Sequence, residues 1–271
     1  MTVAGKFIKL AGLFCLTLAG AHAEPQSEKL QQIVAGEHRS ADNKARDVYR
    51  HPVETLTWLG LRDDMTVVEI FPGGGWYTEI LAPFLRDKGK YYAAGFNAES
   101  HSRFMRESVQ QFKDKLAGSP ALYDKVVITV LDPPGKTEIA PKGSADMVLT
   151  FRNVHNWMAA GTDEAVFRAM YDALKPGGVL GVVEHRGDPN KPQDPKAQTG
   201  YVTEQYVIDL AKKVGFNFAD RSDINANPKD TRDHPKGVWT LPPTLRMGDT
   251  DKEKFLAIGE SDRMTLKFIK P

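Results

Sequence analysis

Apolar positions recur along this chain with two periods, and their alternation predicts the order of elements. Residues 24–50 read as a polar helical lead-in. Pro52 opens a helix with Val53, Leu56, Trp58 and Leu59 on its apolar face, and Gly60 stops it. Met65–Ile70 is a strand, and Trp76–Arg86 a helix carrying Ile80, Leu81, Phe84 and Leu85, which Pro83 should kink or shorten. Lys90–Phe96 is a second strand, Ser102–Leu116 an amphipathic helix, and Val126–Leu131 and Ala145–Phe151 are further strands. Thr162 is placed to cap a helix whose stripe is Val166, Phe167, Met170, Tyr171 and Leu174. Lys175–Gly178 reads as a tight turn before a fifth strand, Val179–Glu184. Gly187–Gly200 is a polar loop, and a helix marked by Tyr206, Val207, Leu210, Ala211 and Val214 ends at Gly215. Two last strands are expected near residues 215–218 and at Thr265–Ile269.

Strands that are almost wholly apolar and alternate with helices predict a parallel sheet covered on both faces. The expected fold class is α/β: an open, doubly wound, mostly parallel sheet with a terminal hairpin. No internal repeat is visible. The core is expected at 61–184, followed by a loop-rich region over 187–250, all within one domain at 24–271. The chain's 271 residues, 41% hydrophobic and 26% charged, suit such a domain and exclude a disordered chain or a multi-span membrane protein. With 36 basic and 35 acidic side chains, it lacks the excess of a phosphate-neutralising nucleic-acid binder.

The first 23 residues depart from this pattern. Lys6 and Lys9 precede an apolar run, Leu10–Gly20, and Ala21-His22-Ala23 ends it with small residues at alternate positions. This is the pattern of a signal peptide cleaved after Ala23, too short to span a bilayer, which takes about 20 residues. Cleavage removes two lysines, taking the net charge from +1 to −1, and removes Cys15, the only cysteine. The expectation is a periplasmic or secreted protein with no stable membrane insertion afterwards.

The richest stretch for chemistry is Glu69-Ile-Phe-Pro-Gly-Gly-Gly-Trp-Tyr-Thr78, where the first strand turns into a helix. Consecutive glycines let a ligand sit on bare N–H groups at a helix start. The spacing fails a dinucleotide fingerprint, because Thr78 stands where the third glycine belongs, and no P-loop Gly-Lys-Ser/Thr is present. The reading that remains is S-adenosylmethionine.

Taken with Asp132, with Phe151-Arg-Asn-Val-His-Asn-Trp157 and with Leu174-Lys-Pro-Gly-Gly-Val-Leu180, this stretch resembles the class I S-adenosylmethionine-dependent methyltransferases. Within them it resembles a group of exported bacterial methyltransferase-like proteins. The resemblance spans residues 67–180 in the family's order and implies its Rossmann-like fold. It implies that Gly73, Gly74 and Gly75 hold the methionine part of the cofactor and that Glu69 orients it. Asp132 would lie near the adenine, and residues 151–155, with Arg152 and Asn153, would form the wall beside the methyl group. Phe71 and Pro72 are bulkier than the family's usual residues, and Asn97 stands where an acid usually grips the ribose, with Glu99 nearby. Phe71, Trp76 and Asn97 complete the expected cofactor set.

Catalytic candidates follow from position. His155, after the fourth strand, is the expected base, and Glu184-His185-Arg186 closes the fifth strand on the same edge. Glu184 and His185 join His155 as the catalytic set. Metal-ligand spacing is lacking, so no metal is expected. Arg50-His51-Pro52 and the Pro-rich stretch Asn227–Pro243, with Trp239, are candidate lids. The expected function is methyl transfer to a small-molecule acceptor, without nucleic acid. The alternative is a non-catalytic periplasmic protein using the same cleft for a nucleoside or carboxylate. A nicotinamide oxidoreductase is disfavoured by Thr78. Nothing in the sequence specifies the oligomeric state.

Overall fold

The structure, a computed structural model, describes Met1 and residues 20–271, with side-chain surroundings from Gln26 onward. Most of the expected signal segment, residues 2–19, lies outside the described residues. Among the described residues no helix is long and apolar enough to cross a membrane.

The lead-in is three helices rather than one: α1 (Gly20–Ala35), α2 (Ala41–Lys44) and α3 (Asp47–Arg50). Then follow α4 (Pro52–Leu59), β1 (Thr66–Ile70), α5 (Thr78–Leu85), β2 (Lys90–Gly95), α6 (Arg103–Gly118), α7 (Pro120–Tyr123) and β3 (Val127–Val130). The second half runs β4 (Ala145–Phe151), α8 (Val154–Ala160), α9 (Asp163–Ala173), β5 (Leu174–His185), α10 (Glu204–Val214), β6 (Asn217–Ser222), α11 (Lys252–Ile258) and β7 (Arg263–Ile269). Seven strands form one sheet in the order β3-β2-β1-β4-β5-β7-β6, with β7 antiparallel to both neighbours and the rest parallel. This is the predicted doubly wound class.

Alternate strand residues feed two cores, one on each face. Val68, Ile70 and Val148 pack with side chains of α8, α9 and α10, while Val67, Met147 and Leu149 pack with α1, α4, α5, α6 and α7. Gly60 and Gly215 take the left-handed conformation that ends α4 and α10 (φ 90° and 118°).

Two local expectations differ. The predicted turn at 175–178 is a bulge inside β5, where the pairing with β4 shifts between Ala145 and Met147. It is held to the terminal segment by Gly177 N–H donating to Lys270 O (2.8 Å). Thr162 precedes α9 but makes no side-chain cap. Pro83 lies inside α5, which runs past it to Leu85. A proline lacks the N–H that would bond the Glu79 carbonyl, and His38 Nε2 meets that oxygen instead (2.9 Å).

Candidate functional site

The sheet's order reverses between β1 and β4, so the crevice beyond their C-terminal ends is where a doubly wound fold places ligands. Both strand ends carry a non-glycine residue in the left-handed region, Phe71 after β1 (φ 48°) and Arg152 after β4 (φ 61°). Such conformations persist only where their surroundings impose them, and they cluster at functional sites.

The turn after β1 has left-handed backbone at Phe71, Gly73 and Gly75 (φ 48°, 57° and 79°). Glycine is the easy residue at such positions, and Phe71 occupies the first of them. Its ring stacks on Phe96 (4.4 Å, 25°). Against α6 the two rings leave a slot of only about 30 Å³. Elsewhere the turn is open, because a side chain added at Gly73, Gly74 or Gly95 would meet no atom within 4 Å.

Glu69, expected to touch the cofactor, lies beneath the turn. It is buried, accepts from Tyr91 Oη, and has Thr78 Oγ1 at 3.4 Å. Burial raises its carboxyl to about 7 against those two hydrogen bonds. Asn97 is turned toward its neighbours: Nδ2 donates to Asp132 (2.8 Å), and Oδ1 accepts from Lys136 (3.2 Å) and Glu99 N (3.1 Å). Trp76 packs against the N-terminal helices. Its indole donates to Asn43 O (3.0 Å) and sits between the Arg39 and Arg50 guanidiniums (5.0 and 4.6 Å). Asn153 ties β4 to β1 by donating to Ile70 O (3.0 Å).

Across the crevice, Glu184 joins the ends of β4 and β5. It is fully buried and accepts from Val154 N (2.6 Å), His155 N (3.4 Å) and His185 N (2.7 Å), with His155 Nδ1 at 3.1 Å. Acting as acceptor throughout, Glu184 makes Nδ1 of His155 a donor and leaves Nε2 as an acceptor. His155 stands in the first turn of α8, a helix that the apolar pattern of the sequence does not mark. The His185 ring contacts Ser261 Oγ (2.5 Å). Burial, then His155 and the nearby arginines, holds its pKa well below the usual range, so it is neutral.

His155, Glu184 and His185 bring ligand-type atoms within 4.8 Å of one another. The surroundings oppose a cation, because the cavity they border, about 290 Å³, is lined by Arg46, Arg50, Arg152 and Arg263 against the single carboxylate of Glu260. Glu260 bonds Arg46 (2.6 Å) and Arg263 and lies 3.4 Å from Arg50. These arginines outweigh its burial and hold it at about 2. The Arg152 guanidinium makes no hydrogen bond or ion pair among the described residues, while its backbone N–H donates to Val183 O (2.7 Å).

Trp239 closes the cavity from the long loop, edge-on to His155 (5.9 Å, 70°) and under Arg246 (4.8 Å). This loop is anchored: buried Asp230 accepts from Tyr201 Oη (2.8 Å), Arg232 N (2.9 Å) and Asp262 N (2.8 Å), with His234 Nε2 at 2.8 Å. Arg46, Glu260, Ser261 and Arg263 were not singled out from the sequence. The available signal was four polar residues, Glu260–Arg263, directly before an apolar strand. Because β7 runs antiparallel, its start lies beside the end of β5, with Arg263 opposite His185.

No family model and no curated protein matches this chain. Solved structures do. A SAM-dependent methyltransferase from Aquifex aeolicus is 17% identical with a TM-score of 0.53, covering 73% of this chain and 93% of its own. The [4+2]-cyclase SpnF is 18% identical (TM-score 0.53; 91% and 93% covered). A phosphoethanolamine N-methyltransferase from Haemonchus contortus, solved with S-adenosyl-L-methionine, is 14% identical (TM-score 0.53; 89% and 56% covered). The chain therefore has the Rossmann-like fold of class I methyltransferases. A cyclase among these neighbours means the reaction must be argued from the site.

Proposed function

We propose that this protein is an exported S-adenosylmethionine-dependent methyltransferase acting on a small molecule. The observations that carry the proposal are an open glycine turn after β1 and the His155–Glu184 pair after β4 and β5, on neighbouring strands of the sheet. The turn fits the cofactor: Gly73 and Gly74 present bare backbone to unfilled space. At the ribose end, Asn97 is already engaged, so the acceptors on offer there are the carboxylates of Asp132 and Glu99.

When bound, S-adenosylmethionine would supply an electrophilic methyl group on a sulfonium, whose departing thioether would keep the electrons of the broken C–S bond. His155 takes the proton that the acceptor O–H or N–H loses, at Nε2. Glu184 holds the ring by Nδ1 and stabilises the positive charge that proton brings. Trp239, Pro242 and Pro243 line the acceptor side.

Photolabelling with methyl-tritiated S-adenosylmethionine tests this reading. Gly74 is the residue to change, since its φ is ordinary and its surroundings are open, whereas a side chain at Gly75 would strain φ 79° and meet Lys115 at 2.9 Å. The wild type and His155→Gln should label and Gly74→Val should not, all three remaining folded. Equal labelling of Gly74→Val, or no labelling of the wild type, would overturn the proposal.

A further inference from the structure

The arginine-lined cavity has a chemistry that methyl transfer alone does not require. Four guanidiniums face one carboxylate, and Glu184 beneath the cavity adds only a second. Arg50 and Arg263 are buried, at 3% and 2% exposure, and among the described residues Arg50 Nη1 and Arg263 Nε have no hydrogen-bond partner. Buried donors without partners are rare in folded proteins, and charged ones are the most costly. The free Arg152 guanidinium is held at this cavity by the left-handed backbone at the end of β4. Burial and the neighbouring Arg263 push Arg152 down to about 10, the sign of a cation short of counter-charge. Ser261 and neutral His185 complete a polar wall beside His155.

We propose that this cavity is an oxyanion site that binds a carboxylate or phosphate group of the small molecule, with Arg152 as its main partner and Arg46, Arg50 and Arg263 around it. Guanidinium suits such a ligand because its fork of N–H donors matches two oxygens at once. The excess of positive charge favours a dianion, and the volume of about 290 Å³ suits a small molecule rather than a peptide segment. The site borders the ring of His155, so an anion anchored there presents the rest of its molecule to the base.

The inference deepens the methyltransferase reading by naming the acceptor's class, and it is tested without the cofactor. Inorganic phosphate and succinate are titrated separately into the purified protein by calorimetry at constant ionic strength. Saturable binding of at least one is expected, and the one that binds more tightly distinguishes phosphate from carboxylate. Arg152→Gln should weaken binding about tenfold or more, and Arg152→Lys, which keeps the charge but not the fork, by less. Arg103→Gln, on the exposed face of α6, should change nothing. Absence of saturable binding by either anion, or equal affinity in Arg152→Gln and the wild type, would overturn the oxyanion site. Either result leaves the photolabelling outcome standing, so failure of this site and failure of the cofactor reading are distinguishable.

Discussion

A carboxylate buried beside a tyrosine hydroxyl leaves a signature in pH. Glu69 titrates near 7 in the folded protein, against a carboxyl near 4.5 when unfolded. A raised pKa stabilises the fold fully below the unfolded value, and that stability is lost as pH rises through the folded one. Between about pH 4.5 and 7 this residue alone should therefore cost the fold about 3 kcal/mol. Glu69→Gln keeps an acceptor for Tyr91 but has no charge to bury. The difference in unfolding free energy between variant and wild type should grow in the variant's favour from pH 5 to pH 8, measured by urea denaturation. A difference independent of pH would show that Glu69 stays ionised in the fold. At this scale the positions were legible: Gly73–Gly75 follow β1, Arg152 and His155 follow β4, and Glu184 stands near the end of β5. What could not be read was the direction of a side chain. Asn97 turns to Asp132, and Trp76 turns to Asn43 and two arginines, because neighbours distant in sequence supply their partners.

Elements meet at Glu184, which joins β5 to the first turn of α8. Each of its oxygens faces an N–H group, Oε2 from Val154 and His155 and Oε1 from His185, with His155 Nδ1 also on Oε1. Glu184→Gln turns one of these acceptors into a donor whichever way the amide points. We expect it to destabilise the protein by about 2–3 kcal/mol and to loosen the His155 ring. Thermal unfolding measures the first effect; a loss under about 0.5 kcal/mol would mean Glu184 is not the joint described here. Strands β1 to β5 were legible because their apolar runs are continuous, whereas β6, polar over most of Asn217–Ser222, was expected only near residues 215–218. The seven residues of α8 were not legible, since a helix that short, opening on Val-His-Asn-Trp, carries too little periodicity and no side-chain cap. The bulge at 175–178 reads as a turn because a Pro-Gly-Gly run has the same composition in either role.

For the whole molecule, the doubly wound class follows from the alternation of strands and helices, whereas the order of the strands, with its reversal between β1 and β4, comes from the structure. A terminal hairpin of the last two strands was expected; the insertion of β7 between β5 and β6, which carries Glu260, Ser261 and Arg263 to the end of β5, was not. The N-terminal helices supply Arg46 and Arg50 to the same cavity, and Glu260 ties them to the C-terminal strand (2.6 and 3.4 Å). Two ends of the chain thus complete a site whose middle was visible in sequence. On our proposal the glycine turn of this fold takes S-adenosylmethionine. Calorimetric titration of the purified protein with S-adenosylmethionine and S-adenosylhomocysteine is the decisive test. We expect one-to-one binding of both with Kd values near the micromolar range, about −8 kcal/mol. A folded protein that binds neither would contradict it, and would mark Phe71, stacked on Phe96, and Asn97, tied to Asp132, as residues that have closed the cofactor's place.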